Sequence, residues 1–268
     1  MKTRLFVLML AALPLFAAAK ETITPSGRTV SQKRVCPKAF TQVEISNVMT
    51  LILENGPECA LRVETYENVL PLVESVISRN TLVVSIKGNT NFKGDAKIKV
   101  YLAMPELSKL TVSGACTVKT AGTMKCDGPL TLKLSGASTL TGDYKAGPID
   151  VVLSGASTFK PSLVSGGAAS IVSSGASDVN GSIQCGDLRL EASGASDMTL
   201  SGTCGALEVK CLGASDLSCY KLTSTSVRGH MSGASDGQFT TTGAAEVTAS
   251  GAGSVTVKKP DGTTIRSK

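Results

Sequence analysis

The 268-residue chain has no Trp, a single His and only 4% aromatic residues, and each scarcity removes a class of function. With no Trp and only Tyr66, Tyr101, Tyr144 and Tyr220, it has few of the aromatic platforms on which sugar-processing clefts stack substrates. His230 is the sole imidazole, so a serine triad has one candidate base. No Cys-x-x-Cys occurs, which disfavours zinc. Lys and Arg are scattered rather than clustered, which argues against nucleic acid as a partner. Beyond the first residues no run approaches the roughly 20 apolar residues of a membrane helix, so no integral membrane segment is expected in the mature chain.

Met1–Ala19 carries Lys2 and Arg4, an apolar run from Leu5 to Phe16, and Ala17-Ala18-Ala19, which reads as a signal peptide cleaved after Ala19. The protein is therefore expected to be exported, to the periplasm or the cell surface. Loss of Lys2 and Arg4 lowers the net charge from +6 to +4, with 25 basic against 21 acidic residues.

What is abundant is glycine, and its placement organises the chain. Among 27 Gly, a Ser-Gly-Ala-Ser corner recurs with variations at Gly114, Gly136, Gly155, Gly175, Gly194, Gly213, Gly233 and Gly251, at spacings of 18 to 22 residues. Self-similarity at that period marks a solenoid, in which each repeat buries its apolar face only against its neighbours. The second residue before each Gly (Val112, Leu134, Leu153, Ser173, Ala192, Cys211, Met231, Ala249) and the fourth (Leu110, Leu132, Val151, Ile171, Leu190, Val209, Gly229, Val247) form two inward columns. A third is the fourth residue after it: Val118, Leu140, Phe159, Val179, Met198, Leu217, Gly237 and Val255. The fold expected is all-β, a right-handed parallel β-helix of about eight ~20-residue coils over 110–258, preceded by an irregular β segment at 35–109. Residues 20–34 read as a flexible leader, Asn68–Ser78 as a short helix or loop, and 259–268 as a tail. The invariant Ala after each Gly suggests a tight corner where nothing larger than a methyl fits.

Phe40-Thr-Gln-Val-Glu-Ile-Ser46, the strand Met49–Leu53 ending at Asn55-Gly56, Thr81–Ile86, Val100–Leu107 and the Ser-Gly-Ala series resemble the GIN-domain head family of auto-transporter adhesins over roughly residues 35–257. The resemblance implies an exported β-solenoid of Gram-negative bacteria with an adhesin role, and it brings no catalytic residues. Its partners would be a glycan or protein surface. Two other readings compete: an extracytoplasmic polysaccharide-processing β-helix enzyme, and a structural or assembly factor of the envelope.

Three residue sets could carry chemistry. Asp178, Asp197, Asp216 and Asp236 recur three residues after the corner Gly, so four carboxylates fall in one file; they either ligate calcium or hydrogen-bond the turn and face water. No other cofactor is expected. Outward positions alternate in sign, with Arg189, Glu208, Arg228 and Glu246 in one column and Glu191, Lys210 and His230 in another, a pattern that stabilises register. Eight Cys in an exported chain are either buried thiols or disulfides: repeat register makes Cys185 and Cys204 vertical neighbours, Cys211 and Cys219 flank one corner, Cys36 and Cys59 each precede a strand of the first segment, and Cys116 and Cys126 remain, flanking one loop.

Overall fold

The computed structural model describes residues 21–88 and 90–267. The signal-peptide reading of Met1–Ala19 lies outside them.

Strands form wherever apolar residues alternate with polar ones, and parallel stacking of those strands builds the molecule. In chain order the first are β1 (Glu21–Ile23), β2 (Thr29–Arg34), β3 (Gln42–Ile45), β4 (Thr50–Asn55), β5 (Ala60–Tyr66), β6 (Val73–Ser78), β7 (Thr81–Ile86), β8 (Thr90–Phe92), β9 (Lys99–Met104), β10 (Lys109–Val112) and β11 (Thr117–Lys125). The repeats add β12 (Leu130–Leu134), β13 (Thr139–Ala146), β14 (Ile149–Leu153), β15 (Thr158–Ser165), β16 (Ala169–Ser173), β17 (Asp178–Gln184), β18 (Leu188–Gly194), β19 (Asp197–Gly213), β20 (Asp216–Gly233), β21 (Asp236–Thr241), β22 (Ala245–Gly251) and β23 (Ser254–Lys258). A last strand, β24 (Thr264–Ser267), follows them.

Each coil has one strand before its corner and one after, and both stack in register on the coil below. Leu110 pairs with Leu132, Leu132 with Val151, Val151 with Ile171 and Ile171 with Leu190. After the corner, Val118 pairs with Leu140, Leu140 with Phe159, Phe159 with Val179 and Val179 with Met198. The all-β solenoid read from the repeats is the architecture found. The inward columns are its core: nearly all their members are buried, with only Gly229, Val247 and Ala249 half-buried near the upper end.

The stack does not begin at Gly114. β3 pairs in parallel with β10, and β4 with β11, so the segment 35–109 belongs to the same ladder. The chain then drops to the base. β5 and β6 pair antiparallel beneath β9 and β7, which fill the layer between them and β4 and β3. Asn68–Ser78 is accordingly neither helix nor loop for most of its length: a 3-10 turn at Leu70–Leu72 leads into β6. Pro71 sits in the first turn, where its missing N–H is tolerated, and the β-branched Val73, Val76 and Ile77 that follow favour a strand.

The leader reading of 20–34 is also corrected. β2 runs antiparallel to β5 over six residue pairs, from Thr29 with Tyr66 to Arg34 with Leu61, and β1 pairs with β8. Its side chains are mostly polar because an edge strand needs backbone partners more than a core face. At the far end 259–268 turns at Gly262 and returns as β24, antiparallel to β23. Antiparallel strands thus close both ends of the second sheet, satisfying edges that parallel coils would leave open.

Candidate binding surface

The eight corner glycines stand in a vertical file. In each layer the amide of the following Ala donates to the carbonyl of the corner one layer down: Ala137 to Gly114, Ala156 to Gly136, Ala176 to Gly155, Ala195 to Gly175, Ala214 to Gly194, Ala234 to Gly213 and Ala252 to Gly233, all at 2.8 Å. Every one of these glycines has φ between 73° and 93°, and a Cβ on any of them would meet backbone atoms of the corner below. Asn47 is the ninth member, at φ 74°, accepting from Ala115 N at 2.7 Å. Asn tolerates that conformation better than other side chains, and its Oδ1 is held by Ile86 N at 3.0 Å.

The alanines correct the reading of a tight corner. Ala115, Ala137, Ala156, Ala176, Ala195, Ala214, Ala234 and Ala252 are exposed, and the residue after each is buried. Six of those buried residues are Ser138, Ser157, Ser177, Ser196, Ser215 and Ser235. Ser138 Oγ donates to the carbonyls of Ser135 (2.8 Å) and Gly114 (3.1 Å), and Ser196 Oγ to those of Ser193 (3.0 Å) and Gly175 (3.5 Å). A serine fits here because its hydroxyl supplies a donor to the carbonyl three residues back and a second donor to the corner carbonyl below, which the Ala amide already bonds. Glycine supplies the curvature and serine the internal hydrogen bonds, while alanine is only the outward tip.

The Asp file is real in register: Asp178 pairs with Asp197, and Asp197 with Asp216. All four carboxylates are exposed. Asp216 Oδ1 accepts from Asp236 N (3.4 Å), and Asp236 Oδ1 from Ser254 N (3.0 Å) and Oγ (2.6 Å). Among the described residues no three His, Cys, Asp or Glu side chains converge into a metal-holding set. At its upper end the file bonds the next layer's backbone.

The charged columns stack with alternating sign. Arg189 lies opposite Glu208, Glu208 opposite Arg228, and Arg228 opposite Glu246; Glu208 Oε2 is 3.7 Å from Arg189 and 3.8 Å from Arg228. His230 Nε2 lies 3.3 Å from Ser250 Oγ, which brings a serine and the one imidazole together. Its Nδ1, however, meets Thr248 Oγ1 at 3.0 Å, so the carboxylate that would orient a catalytic imidazole is replaced by a hydroxyl.

Cys36 and Cys59 are joined as a disulfide, and Cys116, Cys126, Cys185, Cys204, Cys211 and Cys219 are free thiols. Three of the four expected pairings are thus not formed. Cys116 occupies the corner serine file, one layer below Ser138, whereas Cys126 lies level with Ala146 beyond the next bend. Cys185 and Cys204 do stack, with Cys185 N bonding Thr203 O, but remain thiols. Cys211 Sγ instead donates to Ser215 O at 3.3 Å. Burial pushes Cys204 and Cys219 up to about 12 and Cys116, Cys126 and Cys185 up to about 11, so none is a ready thiolate.

Among the described residues, open grooves of 250 to 440 Å³ line the surface, and one of 440 Å³ lies at the base, between β2, β5 and β9. Its residues, among them Lys33, Arg62 and Tyr101, were not singled out by sequence, because the pairing that assembles them is non-local and antiparallel. The surface is a set of straight polar files on a rigid stack.

Comparison with known proteins follows this architecture. The family model described as "Putative auto-transporter adhesin, head GIN domain" matches residues 39–167 and 161–260. The chain belongs to the head GIN-domain family. No curated protein matches this GIN-domain chain in sequence. Solved structures do match it in fold. An adhesin-described protein from Parabacteroides merdae ATCC 43184 is 16% identical, with a TM-score of 0.66 over 89% of this chain and 99% of that one. Another from Parabacteroides distasonis ATCC 8503 is 13% identical, with a TM-score of 0.60 over 89% and 97%. A third, from the same P. distasonis strain and described as "Putative lipid binding protein", is 11% identical, with a TM-score of 0.61 over 89% and 97%. At these identities the likeness carries the fold, and the family membership rests on the sequence model.

Proposed function

We propose that this GIN-domain protein is an exported, non-enzymatic scaffold of the cell envelope that adheres to a glycan or protein surface through its outer files. The observation that carries this reading is the unbroken register of outward polar side chains. Threonines at 117, 139 and 158 continue as Asp178, Asp197 and Asp216, one per layer, on a face with only shallow relief. Repetition at the spacing of a parallel sheet, roughly 4.8 Å, suits an extended partner gripped at many weak points. The adhesin description of the family points the same way. The secretory leader read at Met1–Ala19 supports export, and among the described residues no helix is long and apolar enough to cross a membrane.

The test is the purified full chain on glycan and matrix-protein arrays, with analysis of the incubated glycans. Retention without turnover is the expected result. New reducing ends or unsaturated products would replace the reading with polysaccharide processing, and silence in both would leave an envelope assembly role. Fractionation with surface protease accessibility completes it, because a protein confined to the periplasm cannot adhere to anything outside the cell.

A further inference from the structure

At the base of the stack, the outer side of the second sheet carries a row of side chains drawn from five strands. Register sets Lys33 of β2 opposite Arg62 of β5, Arg62 opposite Tyr101 of β9, Tyr101 beside Ile52 of β4, and Ile52 beside Lys119 of β11. The 440 Å³ groove opens here, lined by Lys33, Arg34 and Arg62 with Glu54 as its one carboxylate. Lys33 and Arg62 are like charges directly opposed across an antiparallel pair, an arrangement that sheets disfavour. Glu64 partly offsets it, bonding Arg62 Nη1 at 3.0 Å and lying 3.7 Å from Lys99.

Arg62 is held in one pose. Its guanidinium carbon sits 3.7 Å from the Tyr101 ring centroid, and Nη1 also donates to Ser31 Oγ at 3.2 Å. Among the described residues Nε and Nη2 meet no acceptor, and these two donors form the side-on fork that fits both oxygens of a carboxylate. Below, Arg34 Nη2 is fixed by the carbonyls of Val73 (3.1 Å) and Leu70 (3.4 Å), adding immobile positive charge. The row continues upward from Lys119 through Thr141 to Lys160, so exposed cations stand three strands above Arg62, roughly 14 Å, and two strands beyond that, roughly 10 Å.

We propose that this groove binds a carboxylate-bearing polysaccharide, with Arg62 forking one carboxylate, Lys33 sharing its charge, and Lys119 and Lys160 meeting later carboxylates of the same polymer. The proposal rests on the adhesion reading and narrows its partner to an acidic glycan.

The full chain is titrated with polygalacturonate, its methyl ester and dextran sulfate. Polygalacturonate binds and the ester does not. Arg62→Lys keeps the charge but loses the fork, and weakens polygalacturonate binding roughly ten- to a hundredfold. Lys33→Gln weakens it less, and Arg228→Gln, on the other sheet, leaves it unchanged. Urea midpoints of all variants separate lost binding from lost folding. Wild-type affinity in both Arg62→Lys and Lys33→Gln, equal binding of the ester, or no binding of polygalacturonate would overturn the assignment. So would wild-type binding of dextran sulfate as tight as that of polygalacturonate, because a surface that does not tell a sulfate from a carboxylate reads bulk charge. If arrays show retention on neutral glycans or proteins while polygalacturonate is ignored, the groove assignment falls and adhesion stands.

Discussion

Replacing Gly194 by Ala tests the corner file most directly. Gly194 has φ 82°, and its new Cβ would lie 2.6 Å from the oxygen and 3.2 Å from the nitrogen of Gly175. The backbone conformation alone costs an L residue about 1–2 kcal/mol. The overlap adds about 1–3 kcal/mol, because Gly175 O cannot retreat without stretching the 2.8 Å bond it accepts from Ala195 N. A gain of about 0.4–1 kcal/mol from a stiffer unfolded chain offsets part of this, leaving a net loss of about 1–4.5 kcal/mol. Gly88→Ala is the control, since Gly88 has φ 63° and nothing within 4 Å of its Cβ; only the conformational cost applies there. Urea unfolding followed by circular dichroism gives both differences from midpoints at a common slope. If Gly194→Ala costs no more than Gly88→Ala, the close approach of successive corners is wrong.

Other perturbations follow from the same contacts. Ala195→Ser, at an exposed position, changes stability by no more than about 0.5 kcal/mol in the same assay, whereas Ser196→Ala costs about 1 kcal/mol through its buried hydroxyl. Cys36→Ser with Cys59→Ser opens a link spanning 23 residues of chain, and urea unfolding registers a loss of about 3 kcal/mol. Glu208→Lys sets three cations in a column and lowers the midpoint by about 1 kcal/mol, less at high salt. Buried thiols with raised pKa keep protons in the folded state that the unfolded chain releases above pH 9, so stability holds to about pH 8 and falls between 9 and 12. Cys204→Ala flattens that fall in unfolding curves taken across the range.

The repeats were legible because each corner needs the same two things, a positive φ and a close backbone neighbour, and Gly meets both at Gly114 through Gly251. The same logic hid the corner at Asn47, where Asn and Val48 stand in for Gly and Ala. The inward columns followed from period two. The roles of Ala and Ser at the corner did not, because both are small and only a count of hydrogen bonds to carbonyls such as Ser135 O tells the outer from the inner. The base was the least legible part. β2 has one Val among polar residues, and its partner β5 lies 26 or more residues on, so no local pattern marks the pair. Lys33, Arg62 and Tyr101 come together only through that pairing, which is why the groove has no signature in the sequence.

The layering at the base also runs against chain order, with a consequence for a chain that folds from its amino end. β3 and β4 precede in the chain the strands beneath them, β7 and β9, which come only with residues 81–104. A chain emerging from its amino end must therefore hold one unfinished layer with its lower side bare until Met104 is out. After that every coil lands on a completed surface, so substitutions before Met104 should slow maturation of the whole protein, whereas those after it delay only what lies above.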